Sequence, residues 1–389
     1  MYTVQIDFRK RLNTMQKAVE AQGLDVLVGT RLKTVTHACG AFCPWRSAVV
    51  IPAKGEVQLL CPSMDSTRLR QEGWLKNVEG YGRDSLTDKI VFRIRELGLD
   101  RGRVGYEDGS SPYLPDGYIT KYEYEALRRG LPEAELVDAY RIIDDLTMVK
   151  EDEEVRLMRQ ATAIVDLAHE EVARVLRVGM SEKQIAGVAE KVMRDAGSEF
   201  AWSFTGGQEV ASGYRTWTGA CTPATDKIVQ RNEFVLMDLH GMYGLMLGDV
   251  SHNAVMGSPD ARQQRVIDAY VQTCERVVAE MLPGKTLGEV SRSVREFVVD
   301  NGWSGFVRGF GHGIGHFGHE WYPTLTDVRI ERVSEPDYVL VPNYVQMIAV
   351  TANAEGVGGL RMERPLVITE TGNELLSKLP FEPRIVEGI

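Results

Sequence analysis

Apolar and polar residues along the first part of the chain alternate between helical and strand periods. Phe8 to Gly23 has the spacing of an amphipathic helix that ends at a glycine, and Leu24 to Val28 is a mostly apolar run typical of a buried strand. Further on, the pattern predicts hairpin strands at 47–52 and 56–61, a helix at 89–97 and a strand at 103–106. Strands that alternate with helices indicate an α/β arrangement.

The pattern changes after residue 148. The charged segment 150–154 opens a helical pattern that runs to about Leu176, and acidic residues suit the first turn of a helix. Beyond it we predict helices at 179–196, 264–281 and 287–301, and strands at 234–238, 245–255 and from 339 onward. This order suggests two related halves around a shared sheet. We therefore predict an α+β protein with domains at 1–148 and 149–389.

Composition narrows the class of protein without naming a substrate. A net charge of −10 argues against nucleic-acid and anionic-membrane partners. The sequence contains no apolar run of the roughly 20 residues that a membrane span needs, and no signal peptide is apparent at its start. The five cysteines lack zinc-finger spacing. We expect a cytoplasmic protein.

Two aspartates are the first candidates for chemistry. Asp238 ends the predicted strand at 234–238, and Asp249 lies on the strand that follows the next turn. Carboxylates on neighbouring strands can bind one ion, and divalent metals favour oxygen ligands. The alternative is that both are turn residues, a common role of aspartate.

A glycine-rich histidine motif and a later carboxylate extend the candidate site. Residues 308–320 read RGFGHGIGHFGHE, which places His312, His316 and His319 among five glycines. Histidines supply nitrogen ligands or carry protons, and this density predicts a functional site. Glu363 follows Arg361 just before the apolar run 365–369. The alternative for that pair is an exposed ion pair at a strand end.

Together these segments resemble the prolidase, aminopeptidase P and creatinase family. The resemblance implies a C-terminal pita-bread domain of two pseudo-related halves, preceded by a smaller α/β creatinase-type domain. It also implies a homodimer. Carried over by motif, the family's metal ligands are Asp238, Asp249, His312 and Glu363, and its substrate-side histidine is His319.

The sequence departs from the family pattern at two places. The family's bridging ligand glutamate falls on Ala349, and its upstream histidine falls on Cys221. The first departure argues against a standard site with two ions, and the second argues against the creatinase mechanism.

His240 offers a compensating ligand. It lies two residues after Asp238, and residues i and i+2 of a strand face the same side. The dimethylsulfoniopropionate lyase branch of the family similarly has an extra ligand at this place. We predict one divalent transition metal (Fe, Mn or Zn) bound by Asp238, His240, Asp249, His312 and Glu363. The alternative is that His240 only packs beside the site.

The remaining candidates act on the substrate. We predict catalytic roles for His319, which carries a proton, for Cys221, and for Arg361, which orients Glu363. The predicted substrate-binding residues are Trp45, Arg46, Arg215, Arg308 and His316. In the family, the loop that matches Trp45 and Arg46 reaches the neighbouring subunit's site. Alternatively each arginine is a solvated surface charge and Trp45 packs in a core.

These features favour a metal-dependent hydrolase that acts on a small carboxylate-bearing amide, amidine or amino-acid-like substrate. Three alternatives stay open: an Xaa-Pro dipeptidase or aminopeptidase, a lyase of the dimethylsulfoniopropionate-lyase kind, and a non-catalytic binding relative. The predicted partners are a small-molecule substrate and a second copy of the chain.

Overall fold

The structure, a computed structural model, describes residues 5–109, 117–200, 207–217, 222–309, 311–316, 318–324 and 338–387. They form two compact units, one of residues 5–147 and one that begins at Met148. The predicted domain ranges, 1–148 and 149–389, extend over residues outside this description and stay a prediction.

The N-terminal unit is a twisted sheet with helices. Its helices are α1 (Phe8–Ala21), α2 (Leu32–Cys39), α3 (Ser63–Glu72), α4 (Leu86–Glu96), α5 (Lys121–Gly130) and α6 (Arg141–Met148). Its strands are β1 (Val26–Gly29), β2 (Ala48–Pro52), β3 (Gln58–Pro62), β4 (Val78–Tyr81), β5 (Arg103–Tyr106) and β6 (Glu135–Asp138). The strand order is β4-β3-β2-β1-β5-β6, with β1, β2 and β3 antiparallel and the other pairs parallel.

The α/β pattern predicted for this unit is present, but the structure also contains helices and strands that the sequence pattern did not predict. Helix α2 has the sequence LKTVTHAC, in which valine and threonines weaken the helical signal, and no side chain caps its start. Helix α3 follows β3 directly at Pro62, without the polar turn that usually announces a helix. Both helices form because tertiary packing outweighs local propensity.

The C-terminal unit contains two helix pairs and two sheets. Its helices are α7 (Asp152–Val175), α8 (Glu182–Asp195), α9 (Ala261–Glu280) and α10 (Leu287–Asp300). Its strands are β7 (Glu209–Ser212), β8 (Phe234–Tyr243), β9 (Met246–Val255), β10 (Val307–Arg308), β11 (His312–Gly315), β12 (Gly318–Thr324), β13 (Val345–Ala354), β14 (Gly358–Ile368), β15 (Asn373–Leu375) and β16 (Arg384–Ile385). Each helix of the second pair begins with a reciprocal capping box, at Asp260–Gln263 and Thr286–Glu289.

The described strands form two hydrogen-bonded sheets instead of the shared sheet predicted from the sequence. One has the order β16-β9-β8-β7, and the other has the order β12-β11-β13-β14-β15 with β10 paired to β13. Each half of the unit therefore supplies most strands of its own sheet.

The helix pairs cover one face of each sheet. Val235, Met237 and Leu239 of β8 join a buried apolar cluster with α7 and α8. Met362 and Leu366 of β14 join a second cluster with α9 and α10. Because side chains alternate along a strand, the intervening residues of β8 and β14 point away from the helices. That alternation leaves the other face of each sheet for polar side chains.

Two strands are longer than the sequence pattern predicted. Strand β8 does not end at Asp238 but continues to Tyr243, and β14 begins at Gly358, well before the apolar run 365–369. Every residue of β14 is buried, including its charged ones. Polar residues usually indicate the end of a buried strand, so the sequence pattern predicted limits that were too narrow for β8 and β14.

Among the described residues, no helix combines the length and apolar composition that crossing a lipid bilayer requires.

We expect His169 to make the stability of the C-terminal unit depend on pH. It is buried between α7 and β9, where its Nε2 lies 2.8 Å from the Val250 carbonyl oxygen, and burial lowers its pKa to about 3. As the pH falls below about 6.5, the unfolded chain takes up a proton that the folded protein accepts only near pH 3. Stability that is complete above about pH 6.5 is therefore lost progressively across this interval.

His169→Gln keeps an N–H donor for the Val250 carbonyl and removes this titration. Urea unfolding at several pH values is expected to show a shallower loss of stability on acidification than in the wild type. Burial also lowers the pKa of His252, so the dependence is reduced and not abolished. An equally steep dependence in the variant would contradict the assignment.

Candidate metal centre

Strands β8 and β9 place three metal-type side chains beside one another. Their register pairs Asp238 with Ser251 and His240 with Asp249. Nε2 of His240 lies 3.4 Å from Oδ1 of Asp249 and 3.9 Å from Oδ2 of Asp238. The Ser251 hydroxyl donates a hydrogen bond of 2.6 Å to Oδ1 of Asp238 and so fixes that carboxylate. Both aspartates lie within strands, so neither is a turn residue.

Strand β14 brings Glu363 and Arg361 to the same place. Ligand atoms of Asp238, His240, Asp249 and Glu363 all lie within 4.8 Å of one another, and all four residues are buried. The Arg361 guanidinium is 3.1 Å from Oδ2 of Asp238 and 2.5 Å from Oε1 of Glu363. Glu363 therefore belongs to a buried cluster and not to an exposed strand-end ion pair.

Asn253 holds the two sheets together beside this cluster. Its Nδ2 donates a 2.8 Å hydrogen bond to the Arg361 carbonyl, and the Arg361 amide donates a 3.1 Å hydrogen bond to its Oδ1. The side-chain amide of Asn253 makes the same two hydrogen bonds that the backbone of a neighbouring strand would make. These two bonds fix the position of β14 relative to β9, and therefore the distance between Glu363 and Asp249.

His312 lies at the edge of the cluster with one nitrogen directed toward it. Its Nδ1 is 2.8 Å from the Gly313 carbonyl oxygen, which can only accept, so Nδ1 carries the proton and Nε2 carries the lone pair. Nε2 is 3.8 Å from Oε1 of Glu363. The neighbouring Gly311 has φ +132°, and a Cβ there would overlap the Met347 carbonyl, which explains one glycine of the motif.

Of the other two histidines of the motif, His316 follows β11 directly and His319 belongs to β12. Nδ1 of His316 is 3.1 Å from the Leu245 carbonyl oxygen, and its Nε2 is 3.5 Å from Glu154. The backbone of His319 pairs with Ile314, and its side chain lies outside the description. Glu320, the last residue of the motif, forms a buried 2.9 Å ion pair with Lys150 that anchors β12.

Ala349 lies directly opposite Glu363 in the pairing of β13 with β14. This is the place at which the family alignment expects a ligand glutamate. A methyl group there offers no donor atom, so β13 contributes no carboxylate beside Glu363. The replacement of a family ligand by Ala349 stays a prediction, and the register places Ala349 next to Glu363.

Two polar residues of the site were missed at the sequence level. Glu209 on β7 pairs with Asp238, is 1% exposed, and has its Oε2 3.7 Å from the Arg361 guanidinium. Gln208 precedes it and hydrogen-bonds the backbone of His240. The signal was present as a lone Gln-Glu pair before the short apolar run Val210–Ala211, but a strand of four residues is too short to stand out.

The crowding of carboxylates shifts the pKa values of the cluster. Burial raises the pKa of Asp249 well above its ordinary value, and repulsion from Glu363 and Asp238 adds to the shift. Burial and repulsion from Asp238 likewise raise the pKa of Glu209 to about 8, although Arg361 opposes this. Burial lowers the pKa of His240, so its imidazole is neutral and keeps a lone pair for a ligand bond.

These residues fit a divalent cation. Four buried carboxylates, those of Glu209, Asp238, Asp249 and Glu363, share the single guanidinium of Arg361, which leaves negative charge that a bound cation would compensate. Carboxylate oxygens mixed with imidazole nitrogens are the donors that Fe, Mn and Zn accept. Asp238, His240, Asp249 and Glu363 would hold the ion, with Nε2 of His312 directed toward Glu363.

The remaining candidates are placed differently. Cys221 lies outside the described residues. The Arg46 guanidinium is bound by Glu123 at 2.7 and 2.8 Å, while Trp45 beside it is 53% exposed. Arg215 lies 3.1 Å from the carboxylate of Glu182 and donates to the Pro223 carbonyl.

Arg308 differs from these two arginines because it is exposed at the start of the histidine motif. Trp45 does not pack in a core, since more than half of its surface is accessible. The substrate-binding roles of all these residues stay predictions.

Replacing Asp249 by Asn should separate the stability of the metal-free protein from metal binding. Burial and the neighbouring carboxylates disfavour the ionised form of Asp249, which an amide does not have, so the metal-free variant is expected to be more stable than the metal-free wild type. The same change removes a ligand, so Mn²⁺ added after chelation should no longer raise the melting temperature.

Asp226→Asn serves as the control, because Asp226 pairs with Lys183 at the surface. That variant should retain the stabilisation by Mn²⁺. Calorimetry with and without Mn²⁺ measures both effects. The assignment of Asp249 would be wrong if Asp249→Asn were still stabilised by Mn²⁺ as much as the wild type.

Comparison with known proteins identifies the relatives of this chain. It is 25% identical over 366 residues to the Xaa-Pro dipeptidase of Pyrococcus horikoshii, and the alignment covers 94% of this chain and 95% of that protein. It is 28% identical over 299 residues to an uncharacterized peptidase, YqhT, of Bacillus subtilis, covering 77% of this chain and 78% of that one.

The fold is likewise shared with solved structures. An Xaa-Pro dipeptidase from Bacillus anthracis superposes with a TM-score of 0.82 at 22% identity, covering 98% of this chain and 100% of that chain. Residues 11–149 match the Creatinase/Prolidase N-terminal domain, and residues 156–370 match Metallopeptidase family M24. The predicted family and two-domain fold are confirmed, and the chain belongs to metallopeptidase family M24.

Proposed function

We propose that this member of family M24, a metal-dependent hydrolase, cleaves the C–N bond of a small amide that bears a carboxylate. The observation that carries the proposal is the convergence of Asp238, His240, Asp249 and Glu363 within 4.8 Å in a buried cluster. Buried carboxylates this close together repel one another, and a bound cation would compensate their charge.

The proposed centre holds one ion of Fe, Mn or Zn. The support is the pairing of Ala349 with Glu363, which leaves no carboxylate from β13 to bridge a second ion. His240 supplies a nitrogen donor from β8 instead. Its Nε2 lies 3.4 Å from Asp249 and 3.9 Å from Asp238, and this proximity supports a ligand role for His240.

The residues of the chain divide the remaining work. A divalent ion, when bound, polarises a substrate carbonyl and makes water a stronger nucleophile. Arg361 orients Glu363 through a hydrogen bond and Asp238 through an ion pair of 3.1 Å. His319 is our candidate to give a proton to the leaving nitrogen. We keep Cys221 as a candidate group on the substrate side.

Xaa-Pro dipeptides are the substrates that the relatives favour. They are small amides with a free carboxylate, and the Pyrococcus horikoshii and Bacillus anthracis relatives are named Xaa-Pro dipeptidases. A non-peptide amide or amidine is the second candidate, favoured by the replacement of a ligand glutamate by Ala349. Both candidate substrates require a positively charged side chain that binds the substrate carboxylate.

For that role we propose Arg308, which is exposed at the start of the histidine motif, together with His316. Arg46 and Arg215 are held by Glu123 and Glu182, so binding a substrate would require them to exchange these partners. A homodimer in which Trp45 and Arg46 serve a neighbouring site, and a cytoplasmic location, stay predictions.

Hydrolysis assays on the Mn²⁺-loaded, Fe²⁺-loaded and Zn²⁺-loaded protein test the reaction class. We expect release of amino acids from Xaa-Pro dipeptides or of amine from non-peptide amides, and loss of at least 100-fold in rate for Asp238→Asn, on the order of the loss of one electrostatic stabiliser. A protein that takes up no metal would favour the binding relative. Formation of an unsaturated product without water uptake would favour the lyase.

Ala349→Glu tests the number of ions. A glutamate opposite Glu363 supplies the missing carboxylate, so the metal content by mass spectrometry should rise from one ion per chain to two. Ser304→Glu is the control, since Ser304 is exposed and lies outside the cluster, and it should leave the content at one. Two ions in the wild-type protein would contradict the single-ion proposal.

A further inference from the structure

Strand β8 carries His240 past the end of its partner strand. The register of β7 with β8 pairs Glu209 with Asp238, so the residue that would oppose His240 is Gly207. Strand β7 begins only at Glu209, so Gly207 is not part of the strand that pairs with β8. Among the residues of the candidate centre on β8, His240 is thus the one that lies beyond the β7 ladder.

The side chain of Gln208 takes over the pairing. Its Oε1 accepts a 2.7 Å hydrogen bond from the His240 amide, and its Nε2 donates a 3.1 Å hydrogen bond to the His240 carbonyl. A primary amide has the same donor and acceptor as a peptide group, so one side chain replaces a strand residue. Gln208 is 3% exposed, which shields both bonds from water.

The imidazole of His240 is otherwise weakly anchored. Its Nε2 faces Asp249 at 3.4 Å, whereas its buried Nδ1 has no hydrogen-bond partner among the described residues. Metal-binding histidines are usually oriented through the nitrogen that does not bind the ion. Here the orientation has to come from the backbone, which Gln208 fixes on both sides of the Cα.

We propose that Gln208 is a positioning residue that holds His240 where its imidazole can bind the ion. This inference rests on the proposed ligand role of His240. Because β13 supplies no carboxylate at Ala349, the ion depends more strongly on the nitrogen donor from β8. Gln208 and His240 then act as one unit, and the loss of either weakens metal binding in the same way.

The experiment is a double-mutant cycle on metal affinity. The variants are Gln208→Met, which keeps the length and loses both hydrogen bonds, His240→Gly, and the two combined. Dissociation constants for Mn²⁺ are measured by competition with a chelating dye. We expect Gln208→Met to weaken binding by roughly 10-fold or more, and to have less than about a 2-fold effect once His240 is absent.

Ser198→Ala is the matched control. The Ser198 hydroxyl accepts a 3.0 Å hydrogen bond from the Met242 amide, two residues further along β8, and is buried like Gln208. Its loss costs the strand a backbone partner without touching a ligand, so the affinity for Mn²⁺ should stay within about 2-fold of the wild type. An equal loss in this variant would show that any damage to β8 weakens the site and would overturn the proposal.

Co²⁺ spectra give a second readout that loss of stability alone does not produce. Gln208→Met and His240→Gly are expected to change the visible absorption of bound Co²⁺ in the same direction, while Ser198→Ala leaves it unchanged. If Gln208→Met does not fold, Gln208→Glu serves in its place, since a carboxylate still accepts from the His240 amide but cannot donate to its carbonyl.

The two failures are distinguishable. Unchanged Mn²⁺ affinity in His240→Gly would remove the ligand role and, with it, this inference. Weakened affinity in His240→Gly together with wild-type affinity in the Gln208 variants would overturn the positioning role alone.

Discussion

Repulsion among buried carboxylates is the constraint on which the C-terminal unit depends. Glu209, Asp238, Asp249 and Glu363 are each no more than 2% exposed, and one guanidinium, that of Arg361, lies among them. Burial of so many like charges is unfavourable unless they are neutralised or bound by cations. The raised pKa of Asp249 records this cost. A bound divalent ion would relieve it, and metal binding would then stabilise the fold.

The alternation of side chains along β8 and β14 makes this arrangement possible. One face of each strand supplies apolar residues to a helix pair, and the other face supplies the charged residues of the centre. The helices thus support the sheets without entering the site. Asn253 fixes β14 relative to β9, and Ser251 fixes the orientation of the Asp238 carboxylate.

Much of this was accessible from the sequence. The candidate ligand residues could be identified because they lie in motifs with a recognisable order, and the helices of the C-terminal unit were predicted because long amphipathic patterns are strong signals. Strand limits failed where charged residues occur inside buried strands, as at Asp238 and around Glu363. In a sequence pattern, a charged residue indicates the end of a strand. In the folded protein, charged partners from distant parts of the chain compensate its charge, so the strand continues.

The contribution of β7 could not be predicted for a related reason. Gln208 and Glu209 acquire their roles only from the register of a four-residue strand against β8, and no local pattern specifies that register. Ala349 is the opposite case. The motifs of the sequence already predict that Ala349 takes the place of a family ligand, and its pairing with Glu363 supports the proposal built on it.

Anomalous X-ray scattering from crystals of the metal-loaded protein tests the central claim most directly. Data collected on either side of the absorption edge locate each ion and identify its element. We predict a single peak among Asp238, His240, Asp249 and Glu363, with Nε2 of His240 within bonding distance. Two peaks in this cluster, or a single peak that His240 does not contact, would contradict it.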